Sequence, residues 1–271
     1  MRARRLGAAG LDALDAVRPG HHQDGPLPPR RLRLALGGEL FRELGERTAR
    51  DAVELADLSP GDRVLDIGCG AGRVALALTR RLGEDGSYEG FDPAATDIRW
   101  CRRRITPRHP SFRFRHIDLA NAEYNPGGGQ RADEFRFPYP DDSFDVAIAS
   151  SVFTHLLPAE VAHYLRETAR VLRPGGRLLA TFFLVNESSR RRIEAGDAAL
   201  LFAPREGGEG LWALPAHDAE VAVGLEEGRV RAMHAEASLA IREPIRFGTW
   251  SGEHPVAEYQ DTVVSELPPT G

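Results

Sequence analysis

Between Val64 and Arg73 the chain reads VLDIGCGAGR, an apolar run that ends in an acid and then breaks into glycines at 68, 70 and 72. Val64, Leu65 and Ile67, with Asp66 among them and Gly68 after, have the length of a buried strand, and the apolar residues after Arg73 fall at helical spacing. A strand that turns through glycine straight into a helix builds a parallel sheet, because the helix must carry the chain back before the next strand can pair.

The rest of the chain repeats that alternation. Strands are expected at 63–68, 87–92, 112–118, 144–150 and 177–184, with helices at 39–57, 72–82, 94–105 and 159–172. From 186 to 222 the alternation is lost, and the composition suggests helical and loop pieces inserted after the fifth strand. A helix near 225–237 and two strands, in REPIRFGTW and EYQDTVVSEL, complete the sheet. Residues 125–136, NPGGGQRADEFR, read as a flexible excursion before the fourth strand. Proline, glycine and polar residues at 18–30 make residues 1–30 a loose leader, and 31–271 a single domain.

Composition excludes little. At 42% hydrophobic and 28% charged the chain is an ordinary globular protein, and a net charge of -5 gives no global attraction for nucleic acid or an anionic membrane. All 35 basic residues are arginine, so arginine clusters reflect usage before chemistry. The two cysteines, Cys69 and Cys101, form neither a metal knuckle nor a disulfide framework, which fits a reducing cytoplasm. No metal-ligand cluster is visible, and the longest apolar run, LLATFFLV at 178–185, is too short to span a bilayer.

A glycine turn lets a ligand approach the backbone and aims amide groups at it. Dinucleotides use such a turn in the form G-x-G-x-x-G, but here the third glycine comes one position early and Arg73 takes the place of the small residue. Asp66, two residues before the first glycine, would repel a pyrophosphate. A cationic ligand would be attracted to it.

Together with that loop, GFDP, HIDL, FPYPDDSFDVAIASSVFTHL and VLRPGGRLLATFF follow in an order that resembles the class I S-adenosylmethionine-dependent methyltransferases, over residues 39–185. The resemblance implies a Rossmann-like three-layer sandwich: a mostly parallel seven-stranded sheet with an antiparallel C-terminal strand, and an insertion after strand 5. It implies S-adenosylmethionine as cofactor, with Asp66 near its aminoacid end and Gly68, Cys69 and Gly70 beneath it. Asp92, followed by Pro93, would take the ribose hydroxyls, and Asp118 and Leu119 would meet the adenine. Ser150, Ser151 and Val152 would line the passage to the methyl acceptor, and Phe41 would lie in a helix that lids the cofactor. Each position also has a structural reading: a strand-end acid at Asp92, a turn cap at Asp118, turn shaping at 150–152, core packing at Phe41.

His155, which follows the fourth strand, is the candidate base, and Trp212, His217, Trp250 and Tyr259 are candidates for the acceptor pocket. The acceptor is expected to be a small molecule methylated on oxygen. Seven arginines between 99 and 115 raise an alternative, methylation of RNA or protein through that face, but solvated helix and strand faces account for them and the base-amino methyltransferase motif is replaced by ASSVF. A nicotinamide oxidoreductase on the same sheet is the alternative from another class, and a binding protein without catalysis is a third.

Overall fold

The computed structural model describes residues 26–120, 125, 127–208, 210–215, 219–253 and 258–269. A short helix, α1 (Arg30–Arg33), precedes α2 (Phe41–Leu55), and the chain then alternates β1 (Arg63–Ile67), α3 (Arg73–Leu78), β2 (Ser87–Asp92), α4 (Ala95–Arg104) and β3 (Phe112–His116). Next come β4 (Phe144–Ala149), α5 (Pro158–Val171), β5 (Leu172–Phe182), β6 (Leu184–Val185), α6 (Glu187–Ala195), β7 (Ala203–Pro204), β8 (Leu211–Ala213) and β9 (Val223–Glu226). Helix α7 (Glu227–Glu236), β10 (Ala240–Arg246) and β11 (Asp261–Glu266) close the chain. Seven strands form one mostly parallel sheet in the order β10-β11-β5-β4-β1-β2-β3, and β11 is antiparallel to both its neighbours.

Two compact units divide at Ile117 and Asp118. In the first, β1, β2 and β3 pair in parallel, with Asp66 opposite Gly90 and Tyr88 opposite Phe112. The pairing positions explain the sequence patterns. Edge strand β3 buries Phe112 and Phe114 and exposes Arg113 and Arg115, whereas four of the five β1 residues are buried. Arg113 and Arg115 both approach Glu89 at 3.7 Å, and Arg102, Arg103 and Arg104 are exposed on α4, so the arginine run is a solvated face. Phe41 is buried with Leu32 and Ala71, which makes it a packing residue against the glycine loop.

In the second unit β4, FDVAIA, is buried at every position, as a strand covered on both faces requires. It pairs in parallel with β5, and β11 pairs antiparallel with β5 so that Asp261 lies opposite Phe182. The inserted segment differs from expectation. Besides α6 it supplies strands to a second, four-stranded sheet, β6-β9-β8-β7, around Phe183, Val185, Phe202, Trp212, Ala222 and Trp250. Strands of two to four residues are too short to show a period of two, so this sheet is invisible to hydrophobic patterning.

Asp261 anchors that region. Its buried carboxylate accepts from the Leu184 and Gly248 amides, both at 2.6 Å, and from the Trp250 indole at 2.8 Å. Asn125, Gly129 and Gln130 are likewise tied down: Asp118 accepts from Asn125 Nδ2 and the Gly129 amide, and Leu119 bridges to Gln130. Among the described residues no helix is long and apolar enough to cross a membrane, and no group of acids, histidines and cysteines could hold a metal.

Candidate cofactor and acceptor sites

After β1 the chain passes through Gly68, Gly70 and Gly72 at φ 70°, 50° and 77°, left-handed backbone that glycine adopts without strain. Phe91 holds the loop from below, its carbonyl accepting from the Gly68 and Cys69 amides at 3.0 and 3.1 Å. Gly90 is needed for this approach, because a Cβ there would come within 2.9 Å of the Cys69 side chain.

Asp92 fixes the loop from the end of β2. Its Oδ2 accepts from the Gly70 amide at 2.8 Å and its Oδ1 from the Ala94 amide at 2.7 Å. A carboxylate has about four lone-pair sites, so each oxygen can take one further donor. Burial raises the Asp92 pKa, against the pull of the Ala94 and Gly70 amides and His116. Pro93, which follows, is half-buried.

Asp66 is 2% exposed and its Oδ2 accepts from the Tyr88 hydroxyl at 2.5 Å. Burial pushes its pKa up to about 7, while Tyr88 and Arg73 pull it down and Asp92 adds to the rise. Two desolvated acids around a glycine turn attract cations, and the half-buried Arg73 balances Asp66. A pyrophosphate would meet net repulsion there. An ammonium or sulfonium would be stabilised, and a ribose could use the remaining lone pairs of Asp92, so these residues fit S-adenosylmethionine.

In the second unit Asp118 is exposed, and its two carboxylate oxygens accept from Asn125 Nδ2 and the Gly129 amide, while Leu119 is buried. Ser150 and Val152 are half-buried beyond β4, and between them Ser151 adopts φ 61°. His155 is half-buried with Nδ1 3.0 Å from the Glu220 carbonyl oxygen. A carbonyl only accepts, so Nδ1 carries a hydrogen, and in the neutral ring that leaves the lone pair on Nε2.

The pocket candidates separate. Trp250, 1% exposed, donates to Asp261 and belongs to the core, as does Trp212, whose ring lies beneath the Arg190 guanidinium at 5.3 Å. Tyr259 is 47% exposed and rests edge-on against Phe183. His217 lies outside the described residues. Two residues escaped sequence reasoning: Thr181 and Gln260, which join Ser151 in one hydrogen-bonded cluster. A threonine within a strand and a glutamine before one carry no motif, so only the fold reveals them.

Residues 65–180 match the family of methyltransferase domains. Over that stretch the chain carries a class I S-adenosylmethionine-dependent methyltransferase domain. S-adenosylmethionine is the cofactor of this methyltransferase family. The chain is 33% identical over 196 residues to the 27-O-demethylrifamycin SV methyltransferase of Amycolatopsis mediterranei, covering 71% of this chain and 64% of that protein. It is 34% identical over 189 residues to the fatty-acid O-methyltransferase of Mycolicibacterium smegmatis, 68% of this chain and 57% of that one. With the ubiquinone/menaquinone biosynthesis C-methyltransferase of Azotobacter vinelandii it shares 32% over 134 residues, 49% and 47% of the two chains. The chain thus spans less than two thirds of the length of each of these relatives. The fold is that of the Pyrococcus horikoshii protein PH0226, with a TM-score of 0.58 and 17% identity over 95% of this chain and 99% of that one.

Proposed function

We propose that the protein transfers a methyl group from S-adenosylmethionine to an oxygen of a small, largely apolar molecule. The observation that carries the reading is the pair of buried acids, Asp66 and Asp92, set around a glycine turn that lacks the dinucleotide spacing. In this reading Asp66 faces the aminoacid end of the cofactor, Gly68, Cys69 and Gly70 pass beneath it, and Asp92 with Pro93 takes the ribose. Asp118 and Leu119 take the adenine end. Ser150, Ser151 and Val152 border the transfer path. Relatives named for a fatty acid and for a rifamycin support the small acceptor and the oxygen. The buried free thiols Cys69 and Cys101 fit a reducing cytoplasm.

Bound there, S-adenosylmethionine supplies a sulfonium methyl: the acceptor oxygen's lone pair forms the C–O bond as the S–CH3 bond breaks and leaves its pair on sulfur. Such a displacement needs the nucleophile in line with the breaking bond, so positioning supplies most of the acceleration. A hydroxyl acceptor must also lose a proton, and His155 Nε2, with Nδ1 tied to Glu220, is the base in this proposal. Methyl-labelled S-adenosylmethionine incubated with metabolite extracts, followed by mass identification of the labelled product, tests the reading. A product labelled on oxygen supports it, and label on nitrogen or in RNA would replace it.

A further inference from the structure

Ser151 stands beyond β4 in left-handed backbone, a conformation that costs a serine energy and persists only where neighbours hold it. Thr181 and Gln260 are those neighbours. The Ser151 amide donates to Thr181 Oγ1 at 2.8 Å and its hydroxyl donates to Gln260 Oε1 at 2.9 Å. The Thr181 hydroxyl donates to the same Oε1 at 2.7 Å. One amide oxygen therefore collects both hydroxyls.

The cluster sits at a particular place in the sheet. Ser151 follows the carboxyl end of β4, Thr181 lies at the carboxyl end of β5, and Gln260 immediately precedes antiparallel β11, whose Thr262 is opposite Thr181. Open α/β sheets bind their ligands at the carboxyl ends of parallel strands. None of the three bonds extends the strand ladder; their common effect is to fix one side-chain amide at that edge.

Gln260 is half-buried, and among the described residues nothing accepts from its Nε2. With Oε1 committed, the side chain presents two N–H donors and no free acceptor. Donors of this kind select an oxygen that has lone pairs to offer and cannot pair with a protonated amine, which has none. The exposed ring of the adjacent Tyr259 adds apolar surface beside the amide.

We propose that Gln260 recognises the methyl acceptor, its amide donating a hydrogen bond to an oxygen of an apolar carboxylate or of a hydroxyl next to a carbonyl, while Ser151 and Thr181 hold it in place. The assignment rests on the methyltransferase reading above. With a carboxylate acceptor no proton moves: the carboxylate oxygen gains the methyl, and the products are a methyl ester and S-adenosylhomocysteine.

The test supplies methyl-labelled S-adenosylmethionine with decanoic acid, 2-hydroxy-1,4-naphthoquinone or decylamine, and measures S-adenosylhomocysteine affinity in parallel. The wild-type protein methylates at least one oxygen probe and leaves the amine untouched. Gln260→Glu, which sets a carboxylate where the donors stood, lowers kcat/KM for that probe by about 10- to 100-fold, as loss of a hydrogen bond to a charged or buried partner does. S-adenosylhomocysteine affinity stays unchanged in that variant, and Ser151→Ala, which frees one side of the amide, loses less. Gln260→Asn carries the same prediction should Gln260→Glu not fold. Undiminished turnover in a folded Gln260 variant overturns the proposal, as does methylation of decylamine alone. A wild-type protein that binds S-adenosylhomocysteine and methylates none of the three contradicts the acceptor class, whereas one that binds no S-adenosylhomocysteine brings down the methyltransferase reading itself.

Discussion

The Tyr88 hydroxyl donates to Asp66 Oδ2 at 2.5 Å across β1 and β2, joining two side chains that are otherwise sealed from water. Burial favours the neutral carboxylic acid, while the phenol and Arg73 favour the carboxylate, and the balance leaves Asp66 with a pKa of about 7. Removing the phenol tips it further toward the acid. Tyr88→Phe therefore weakens S-adenosylhomocysteine binding at pH 7 and moves the pH at which binding is half lost upward by about one unit. Calorimetric titrations between pH 6 and 8 check this. An unmoved midpoint with a lower Tm would mean that Tyr88 only packs.

The same acid has a cost for folding. Its pKa is raised from 3.8 to about 7, so between those values the folded chain binds the proton that the unfolded chain has released. Stability from this group is present below pH 4 and is lost as pH rises to 7. Asp66→Asn is accordingly more stable than wild type at pH 8, by up to about 4 kcal/mol, and the gain shrinks toward pH 4. Urea denaturation of both proteins at the two pH values measures it.

His234 works in the opposite direction. It is fully buried in α7, its Nδ1 donates to the Val230 carbonyl at 2.8 Å, and its Nε2 has no partner among the described residues. Burial lowers its pKa to about 4, so the unfolded chain binds the extra proton between pH 6.5 and 4. This contribution is intact above pH 6.5 and falls away below it, by about 2 kcal/mol at pH 5. Comparing the pH dependence of wild type and His234→Phe by urea denaturation isolates the term. Equal slopes between pH 5 and 7 would contradict it.

Asp261 gathers three N–H donors from Leu184, Gly248 and Trp250 onto one buried carboxylate. Asp261→Ala leaves those donors unpaired and costs at least about 3 kcal/mol, the penalty for stranding several buried groups. Hydrogen exchange in that variant shows the loss concentrated in β6 and in residues 248–250, the segments that Asp261 ties to β11.

What was legible in the sequence follows from length and period. Strand β2 has the bounds expected at 87–92, and β1, β3 and β4 end one or two residues early, because four to six apolar or alternating residues between turn signals leave few alternatives. The helix expected at 72–82 is α-helical only from Arg73 to Leu78, and β5 begins at Leu172 rather than 177, with residues 173–176 bulging out of the pairing with β4. The acids beside the glycine loop were legible as well, since Asp66 lies one residue before the end of β1 and Asp92 ends β2. Thr181 and Gln260 were not, because they meet only through β5–β11 pairing, at 79 residues' separation. Trp212 and Trp250 look alike in the sequence to pocket aromatics, and only the second sheet shows them packed inside it.

Asp92 decides the central claim, since a carboxylate that already holds Gly70 and Ala94 is assigned the cofactor's ribose. The direct measurement is calorimetry of wild type and Asp92→Asn with S-adenosylhomocysteine and with NADH. The account predicts that wild type binds S-adenosylhomocysteine and not NADH, and that Asp92→Asn weakens that binding by about 10- to 100-fold, the loss of a charge-assisted hydrogen bond. Tight binding of NADH alone, or S-adenosylhomocysteine binding indifferent to Asp92, would contradict it.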